Sequence, residues 1–176
     1  MEKMYSCGMD VLHAIETRRS IRKYKDTELS KDQIDTIICA GMCAPSAHNF
    51  RPWEFVVVKD REKLGKIADF GKYMKMVSQS AVSIIVCGDT EKQNRHDFLI
   101  NDCSAAVQNI LLAAHGLSLG AVWCGISYDE QISFFRDLLK LPEKIIPTAL
   151  IAVGYPDEEK TLAQRFDETK IHYDEF

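Results

Sequence analysis

The sequence predicts one layered domain of the α+β class, in which a sheet of about four strands is flanked by helices. The first observation behind this is the order of the hydrophobic patterns: two helical segments precede strand-like runs that alternate with further helices. The second is the length of 176 residues, which is typical of one domain, with no repeat or linker inside it. The third is a globular composition, 46% hydrophobic and 27% charged. We therefore expect residues 1–176 to form a single domain with extended termini at 1–9 and 157–176.

Two amphipathic helices are predicted before the first strand. The first has Asp10 as a candidate N-cap. Its apolar face consists of Val11, Leu12, Ala14 and Ile15. The second begins with Ser30 and Gln33 at the spacing of a capping box, and Pro45 marks its end. Its buried positions are Ile34, Ile37, Ile38 and Gly41.

The remaining elements alternate between strands and helices. The predicted strands are the apolar runs at 53–58, 81–87, 121–126 and 148–154. The run 81–87 is apolar at almost every position, which is typical of a central strand buried on both faces. Helical patterns lie at 60–70, 98–115 and 129–140, with a short apolar turn at 73–77 and a charged, irregular tail at 155–176. The longest helix, 98–115, is apolar on nearly all sides and is expected in the core.

Charge and cysteine content exclude several classes of protein. With 22 basic and 26 acidic residues the net charge is −4, which disfavours binding to nucleic acid or to an anionic membrane. No apolar stretch is long enough to span a bilayer. There is no C-x-x-C motif, so we predict buried thiols rather than metal ligands, no metal site, and a reducing cytoplasm. The six cysteines are Cys7, Cys39, Cys43, Cys87, Cys103 and Cys124.

A basic cluster follows the first helix. Arg18, Arg19 and Arg22 stand close together with Ser20 between them, in a chain that is acidic as a whole. Guanidinium groups bind phosphate oxygens in pairs and a hydroxyl adds a donor, so the cluster is a candidate anion site. By spacing alone, cations that stabilise the C-terminal dipole of the first helix are the simpler interpretation.

A polar loop, residues 44–53, joins the second helix to the first strand. Its proline, serine and asparagine residues are typical of a rigid loop whose backbone groups are available for binding. His48 is a candidate base, although a single loop histidine is more often neither base nor ligand.

Two other motif classes are excluded. Residues 116–120 match the G-x-S-x-G pattern of a hydrolase nucleophile, but that pattern needs a strand before it and a helix after it, and here the order is reversed. No glycine-rich motif follows a predicted strand, so neither a Rossmann nor a P-loop nucleotide site is indicated.

In order along the chain, these segments resemble the nitroreductase family of FMN-dependent oxidoreductases from about residue 11 to residue 173. Four blocks carry the resemblance: Ile-x-x-Arg-Arg-Ser-x-Arg at 15–22; Pro-Ser-x-x-Asn followed by Pro-Trp at 45–53; an alanine-rich helix leading into an apolar strand at 102–125; and Gly-Tyr-Pro at 154–156 with the tail motifs at 165–167 and 172–173. The departure is Arg51, where the family usually has Gln. The resemblance implies a nitroreductase-like fold with a central mixed or antiparallel sheet, assembled as a homodimer.

The resemblance also implies an FMN site at the dimer interface, lined by both subunits. The phosphate and ribityl end would be bound by Arg18, Arg19, Ser20, Arg22 and, from the tail, Arg165. The partner subunit would contribute the loop residues Pro45, Ser46, Ala47, His48 and Asn49. The isoalloxazine would lie against Trp123, Cys124 and Gly125, where backbone N–H groups can polarise the ring near N5 and O4. The candidate substrate pocket, whose members could equally be core residues, consists of Phe70, Tyr73, Met74 and Met76.

The implied activity is the chemistry of the cofactor. NADH or NADPH passes hydride to flavin N5 and leaves, and a nitroaromatic, a quinone or a similar flat acceptor then takes the electrons in a ping-pong sequence, with no catalytic side chain required. Two alternatives remain open: a specialised flavin enzyme of the same fold, either flavin-fragmenting or a reductive dehalogenase, and a flavin-binding protein without turnover. The helix 98–115 is expected at the centre of the dimer interface, because one subunit could hardly cover it.

Overall fold

The computed structural model describes residues 9–162 and 164–176. Within these residues the helices and strands are α1 (Val11–Thr17), α2 (Lys31–Met42), β1 (Trp53–Val58), α3 (Arg61–Phe70), β2 (Val82–Asp89), α4 (His96–Gly116), β3 (Gly120–Gly125), α5 (Asp129–Leu139) and β4 (Ile145–Gly154). Short 3₁₀ helices lie at Ala47–Asn49, Lys75–Gln79 and Glu168–Lys170. Every predicted helix and strand is present, which confirms the predicted fold class.

The strands form one antiparallel sheet in the order β1-β2-β4-β3. All residues of β2 are buried, which confirms its predicted central position. β3 lies at an edge of the sheet and pairs with β4 along Gly120–Gly125. This edge strand becomes part of the candidate site.

Helices cover both faces of the sheet, so there are two hydrophobic cores. On one face α2 and α4 pack against the sheet, and the core includes Ile37, Val107, Ile110, Ile84 and Ile151. On the other face lie α3, α5 and the 3₁₀ helix Lys75–Gln79, and the core includes Leu64, Val77, Phe135, Ile85 and Leu150. Since the apolar residues of each strand alternate between these cores, the sheet is the middle layer of three.

α4 is the central helix, and it begins at His96, slightly earlier than predicted. Its buried apolar residues are Leu99, Cys103, Ala106, Val107, Ile110, Leu111 and Ala114. One subunit therefore covers most of the apolar surface of α4, which removes the reason for expecting this helix at the centre of a dimer interface.

α1 is the least buried of these helices. Asp10 caps it by accepting hydrogen bonds from the N–H groups of Leu12 and His13, as predicted. Of its apolar face only Ala14 is buried, whereas Val11, Leu12 and Ile15 are 62%, 67% and 52% exposed. The amphipathic pattern was correct, but none of the described residues covers three of the four apolar side chains that it identified.

β4 begins at Ile145, ahead of its predicted start at 148, and contains Pro147. Proline has no N–H for the ladder, so inside a sheet it is confined to edge strands, strand starts and bulges. The register between β2 and β4 shifts here: Cys87 pairs with Pro147 and Val86 with Ala149. Thr148 is thus the extra residue of a β-bulge, and its hydroxyl donates to the Val86 carbonyl at 3.0 Å. The bulge accommodates the proline inside the strand.

The thiols fall into two groups. Cys87, Cys103 and Cys124 are buried, as predicted, and burial raises the pKa of Cys87 and of Cys103 to about 12. For Cys39 and Cys43 the prediction of burial was wrong, because both are exposed on the side of α2 that faces away from its buried residues Ile34 and Ile37. Cys7 lies outside the described residues. Among the helices of the described part of the chain, none is both long and apolar enough to cross a bilayer.

Candidate functional site

The basic cluster is held where α1 ends beside the start of β3. Arg18 is the C-cap of α1, and its N–H donates to the Ala14 carbonyl at 3.0 Å. The chain then runs along β3: Ser20 forms a parallel bridge with Ala121, and the Ile21 N–H donates to the Ala121 carbonyl at 3.1 Å. These contacts fix the backbone that carries the three arginines and Ser20.

The C-terminal tail returns to the same place. The Asp157 N–H donates to the Lys23 carbonyl at 2.9 Å, and Arg19 Nε donates to the Thr161 carbonyl at 3.3 Å. Arg165 comes close enough to Arg18 to act on its titration: the pKa of Arg18 is lowered, first by burial and then by the positive charges of Arg165 and Arg19. The structure therefore brings together cations that stand almost 150 residues apart in the sequence.

The arginines of the cluster differ in the hydrogen-bond acceptors that their side chains have. Arg19 donates to the carbonyls of Glu16 and Arg18, at 2.7 and 2.8 Å. It therefore caps the C-terminus of α1, which is the role that the simpler interpretation of the cluster predicted. Arg18 makes no such contact, and within the described residues no carboxylate forms an ion pair with Arg18, Arg19 or Arg165. Repelling cations without a carboxylate between them favour an anion with several oxygens.

Two neighbours of the cluster were missed from the sequence. The Thr17 hydroxyl and His115 Nε2 lie 2.8 Å apart, and Thr17 also donates to the His13 carbonyl at 2.6 Å. The pKa of His115 is lowered, first by burial and then by the charge of Arg18. His115 therefore tends to stay neutral there. A lone histidine at a helix end carries no sequence signal of such a contact.

A cavity of about 560 Å³ adjoins the free edge of β3. One wall comes from the segment before and within the 3₁₀ helix Lys75–Gln79, including Tyr73, Met74 and Met76; the other includes Trp123, Cys124 and Gly125. The predicted substrate pocket and the predicted flavin-contacting strand thus face each other across one space. Arg22 lines the same cavity, as do Lys72 and Lys75, which the sequence did not single out. Phe70 lies apart from them and stacks on Phe134 at a ring separation of 3.9 Å.

The free edge of β3 presents backbone donors to this cavity. In an antiparallel ladder, residues whose N–H and C=O groups face the partner strand alternate with residues whose groups face away. The Ile126 N–H donates to Thr148 of β4, whereas the Ala121 carbonyl accepts from Ile21 on the opposite side. By this alternation the N–H groups of Trp123 and Gly125 point away from β4, while that of Cys124 points toward its partner Leu150.

The Cys124 side chain is unsuited to nucleophilic chemistry. It is buried, burial raises the pKa of its thiol, and Sγ donates to the Tyr73 carbonyl at 3.6 Å. A thiol held protonated in this way is a poor nucleophile.

The loop after α2 is tightly folded. His48, Asn49 and Arg51 have φ values of 52°, 57° and 49°, in the left-handed region that side chains seldom adopt. The Arg51 N–H donates to Ser46 Oγ, and Arg51 Nε donates to Asn49 Oδ1, both at 2.9 Å. The side chain at the position where the family usually has Gln thus closes the loop on itself. His48 and Asn49 are exposed, and their side-chain contacts among the described residues, with Phe50 and Arg51, stay within the neighbouring chain.

The loop and the basic cluster lie toward opposite ends of α4. Ala47 of the loop hydrogen-bonds Asp102 near the start of α4, and Thr17 beside the cluster contacts His115 near its end. Thirteen residues of helix separate Asp102 from His115, which corresponds to about 20 Å. Within one chain, the loop at 45–49 therefore does not reach the basic cluster, although both are predicted to line an FMN site.

A family model and the sequences of known proteins match most of this chain. The family model described as "Nitroreductase family" matches residues 15–83 and 71–155. A Methanothermobacter thermautotrophicus protein, provisionally named NADH dehydrogenase/NAD(P)H nitroreductase, is 47% identical over 169 residues, which is 96% of this chain and 88% of that protein.

Solved structures share the fold. An FMN-dependent nitroreductase from Clostridium difficile has a TM-score of 0.86 and 35% identity, covering 94% of this chain and 99% of its own. A Desulfovibrio desulfuricans protein, provisionally named a nitroreductase and crystallised with FMN, has a TM-score of 0.82 and 35% identity. The match covers 96% of this chain and 98% of that protein. Since the family model spans most of the chain and a relative is 47% identical over nearly all of it, the protein belongs to the nitroreductase family.

Proposed function

We propose that the protein is an FMN-dependent oxidoreductase that uses NADH or NADPH to reduce nitroaromatics, quinones or similar flat acceptors. The observation that carries the proposal is the meeting of Arg18, Arg19 and Arg165 with no carboxylate paired to them among the described residues. The names of the two structural relatives, one FMN-dependent and one crystallised with FMN, support the choice of cofactor.

The residues fit both ends of FMN. A phosphate dianion matches the guanidinium groups of Arg18 and Arg165, and Arg19 and Ser20 stand beside them. A flat ring matches the cavity of about 560 Å³ beside β3, where Arg22 lies on the ribityl side in this proposal. The N–H groups of Trp123 and Gly125 would donate to the ring edge, the tuning that a protein supplies to a flavin.

FMN, when bound, accepts hydride and transfers electrons. The chain itself therefore needs only to bind the cofactor, orient the substrates and exclude molecules of the wrong shape. Tyr73, Met74 and Met76 would limit what can stack in the cavity, which selects substrates by shape. Reductant and acceptor would use this one opening in turn, which is the basis for a ping-pong sequence. No nucleophile is assigned, in keeping with the protonated thiol of Cys124.

We propose that the active form is a homodimer whose two subunits complete each site. The separation of about 20 Å between loop and cluster supports this, because a second copy can bring its loop, Pro45 to Asn49, to the flavin of the first. Exposed apolar residues on α1, and Phe166 and Tyr173 of the tail at 73% and 83% exposure, provide surface for such an interface. The free state of all five described cysteines supports a reducing cytoplasmic location.

The test is an absorption spectrum of the purified protein before and after NADH or NADPH. We expect a flavin spectrum, FMN rather than FAD on extraction, rapid bleaching by the reductant, and recovery when a quinone or nitroaromatic is added. Extraction of FAD, or failure to bind FMN on reconstitution, would contradict the cofactor assignment. Slow or absent bleaching would favour the specialised flavin enzymes or a flavin-binding protein without turnover.

A further inference from the structure

Asp102 of α4 is a buried acidic residue that no step above uses. It is 5% exposed and lies within a helix whose buried positions are otherwise apolar. Its Oδ1 accepts a hydrogen bond from the Ala47 N–H at 2.8 Å, across 55 residues of sequence. Its Oδ2 is buried and has no hydrogen-bond partner among the described residues. A buried polar oxygen without a donor costs stability, so an apolar side chain would suit this helix position better.

The hydrogen bond falls at the start of the strained loop. Ala47 begins the 3₁₀ helix Ala47–Asn49, and Ser46, the residue before it, makes no side-chain capping bond. The Asn49 N–H donates to the Ser46 carbonyl, and the Phe50 N–H donates to the Ala47 carbonyl. The position of Ala47 therefore determines the positions of His48 and Asn49, whose left-handed backbone persists only if its surroundings fix it.

The hydrogen bond from Ala47 to Asp102 attaches this loop to α4. In the described chain, the other side-chain hydrogen bonds of residues 45–51 join the loop to itself, through Ser46, Asn49 and Arg51. Of the described side chains outside the loop, only that of Asp102 hydrogen-bonds a residue of this segment. α4 is rigidly packed between α2 and the sheet, so it offers a fixed point to which a surface loop can be attached.

We propose that Asp102 is a positioning residue for the flavin site: it fixes the Ala47 backbone and thereby holds the loop at 45–51 in the conformation that contacts the partner's flavin. The inference rests on the proposed function, in which this loop lies on FMN. Asp102 itself touches neither the cofactor nor the substrate. Its contribution is geometric, because a loop with several left-handed residues has many competing conformations once its anchor is lost.

The test compares three variants of the full-length protein. Asp102→Ala removes the acceptor, Asp102→Asn retains a carbonyl oxygen of the same size in its place, and Cys103→Ala is the matched control, since Cys103 is also buried on α4 but makes no bond to the loop. Hydrogen exchange of the peptide 44–52, measured by mass spectrometry, reports the loop, and flavin fluorescence reports the dissociation constant for FMN. Visible circular dichroism of bound FMN reports the environment of the ring.

We expect Asp102→Ala to speed exchange of the loop peptide and to weaken FMN binding, each by about tenfold or more, with an altered flavin dichroism. In Asp102→Asn, the exchange rate of the loop and the affinity for FMN should return most of the way to the wild-type values. Cys103→Ala should change neither the exchange rate nor the affinity by more than about threefold. If Asp102→Ala does not fold, Asp102→Leu removes the acceptor with an apolar side chain that burial favours, and the same expectations apply.

Two results would overturn the inference. Unchanged loop exchange in the Ala or Leu variant would show that Asp102 does not hold the loop. Faster exchange with unchanged FMN binding and dichroism would show that the loop is anchored but does not serve the flavin. Neither result affects the proposed function, which stands or falls on whether the wild-type protein binds FMN at all.

Discussion

Arg18 and Arg19 are consecutive residues at the same helix end, yet their guanidinium groups do different things. Arg19 donates to two carbonyls at the end of α1 and to one in the tail, whereas the Arg18 side chain has no acceptor among the described residues and its pKa is lowered by burial and by the charge of Arg165. The helix-capping interpretation of the basic cluster therefore holds for Arg19, whereas the anion-site interpretation stays a prediction for Arg18. Spacing could not separate them, because the distinction depends on a tail that returns from far along the chain.

Replacing Arg18 by Ala should weaken FMN binding by about 1.5–3 kcal/mol, the scale of a charge-assisted hydrogen bond to phosphate. The fold should be retained, because the Arg18 side chain makes no hydrogen bond in the described structure. The measurement is a fluorescence titration of apo-protein with FMN, alongside thermal unfolding. Lys66→Ala is the control: it also removes one positive charge, from an exposed pair with Glu62 on α3. Equal FMN affinity in the two variants would contradict a phosphate role for Arg18.

Residues of the site differ in how well the sequence revealed them. Arg18, Ser20 and the loop at 45–49 stand in short motifs, and the tail arginine follows a recognisable block, so a resemblance could identify them. Asp102, Thr17 and His115 could not be found in this way, because each acts through one contact with a distant residue. Phe70 illustrates the alternative that the sequence left open, since this candidate pocket residue does not line the cavity and stacks on Phe134.

At the scale of elements, the period of the hydrophobic pattern and the capping residues were enough to predict every α-helix and β-strand of the described chain, but not the 3₁₀ helices at Ala47–Asn49 and Glu168–Lys170. The capping box of Ser30 and Gln33 and the all-apolar run of β2 are the clearest cases. The order of the strands in the sheet and the bulge in β4 were not predictable, because both depend on pairing between segments about 60 residues apart. The burial of Cys39 and Cys43 was predicted wrongly because residue type was given more weight than helical phase.

Substitution of two glycines by alanine tests how α3 and β2 are packed. Gly65 lies inside α3, where an added Cβ meets nothing within 4 Å, so Gly65→Ala should stabilise the protein by about 0.5–1 kcal/mol through helix propensity. At Gly88 of β2 an added Cβ would lie 2.5 Å from Leu99 Cδ1 of α4, so Gly88→Ala should destabilise it by about 1–3 kcal/mol or more. Urea unfolding followed by far-ultraviolet circular dichroism measures both. Effects of the same sign would contradict the packing of α4 against β2.

For the whole molecule, the central expectation is that flavin binding and dimerisation are linked. A ligand that contacts both chains binds the dimer rather than the monomer and stabilises it by mass action. Sedimentation velocity of the FMN-loaded protein at decreasing concentration, followed in the flavin absorption band, should show flavin sedimenting with the dimer and free flavin appearing as monomer forms.

A charge on the exposed apolar face of α1 provides the matched comparison. Leu12 is 67% exposed, and Leu12→Glu should weaken dimer and flavin binding together, whereas Lys66→Glu on α3 should leave both unchanged. A monomer that retains its flavin would overturn the shared site, and with it the roles given to Ser46 and Asn49.

The bulge in β4 makes the number of residues in this strand a constraint in its own right. Ala149, Ile151 and Val153 belong to the core beneath α4, and Leu150 and Ala152 to the core beneath α5. Strict alternation would place Ile145 with the odd-numbered residues, but the extra residue Thr148 reverses the order, and Ile145 lies in the core beneath α5. An in-frame loss of Thr148 would therefore leave Ile145 on its present face, because without the bulge the strand alternates regularly from Ala149 through Pro147 to Ile145. A gain of one residue beside Thr148, with the bulge unchanged, would instead move Ile145 to the opposite face, so this stretch should tolerate the loss of a residue more readily than a gain.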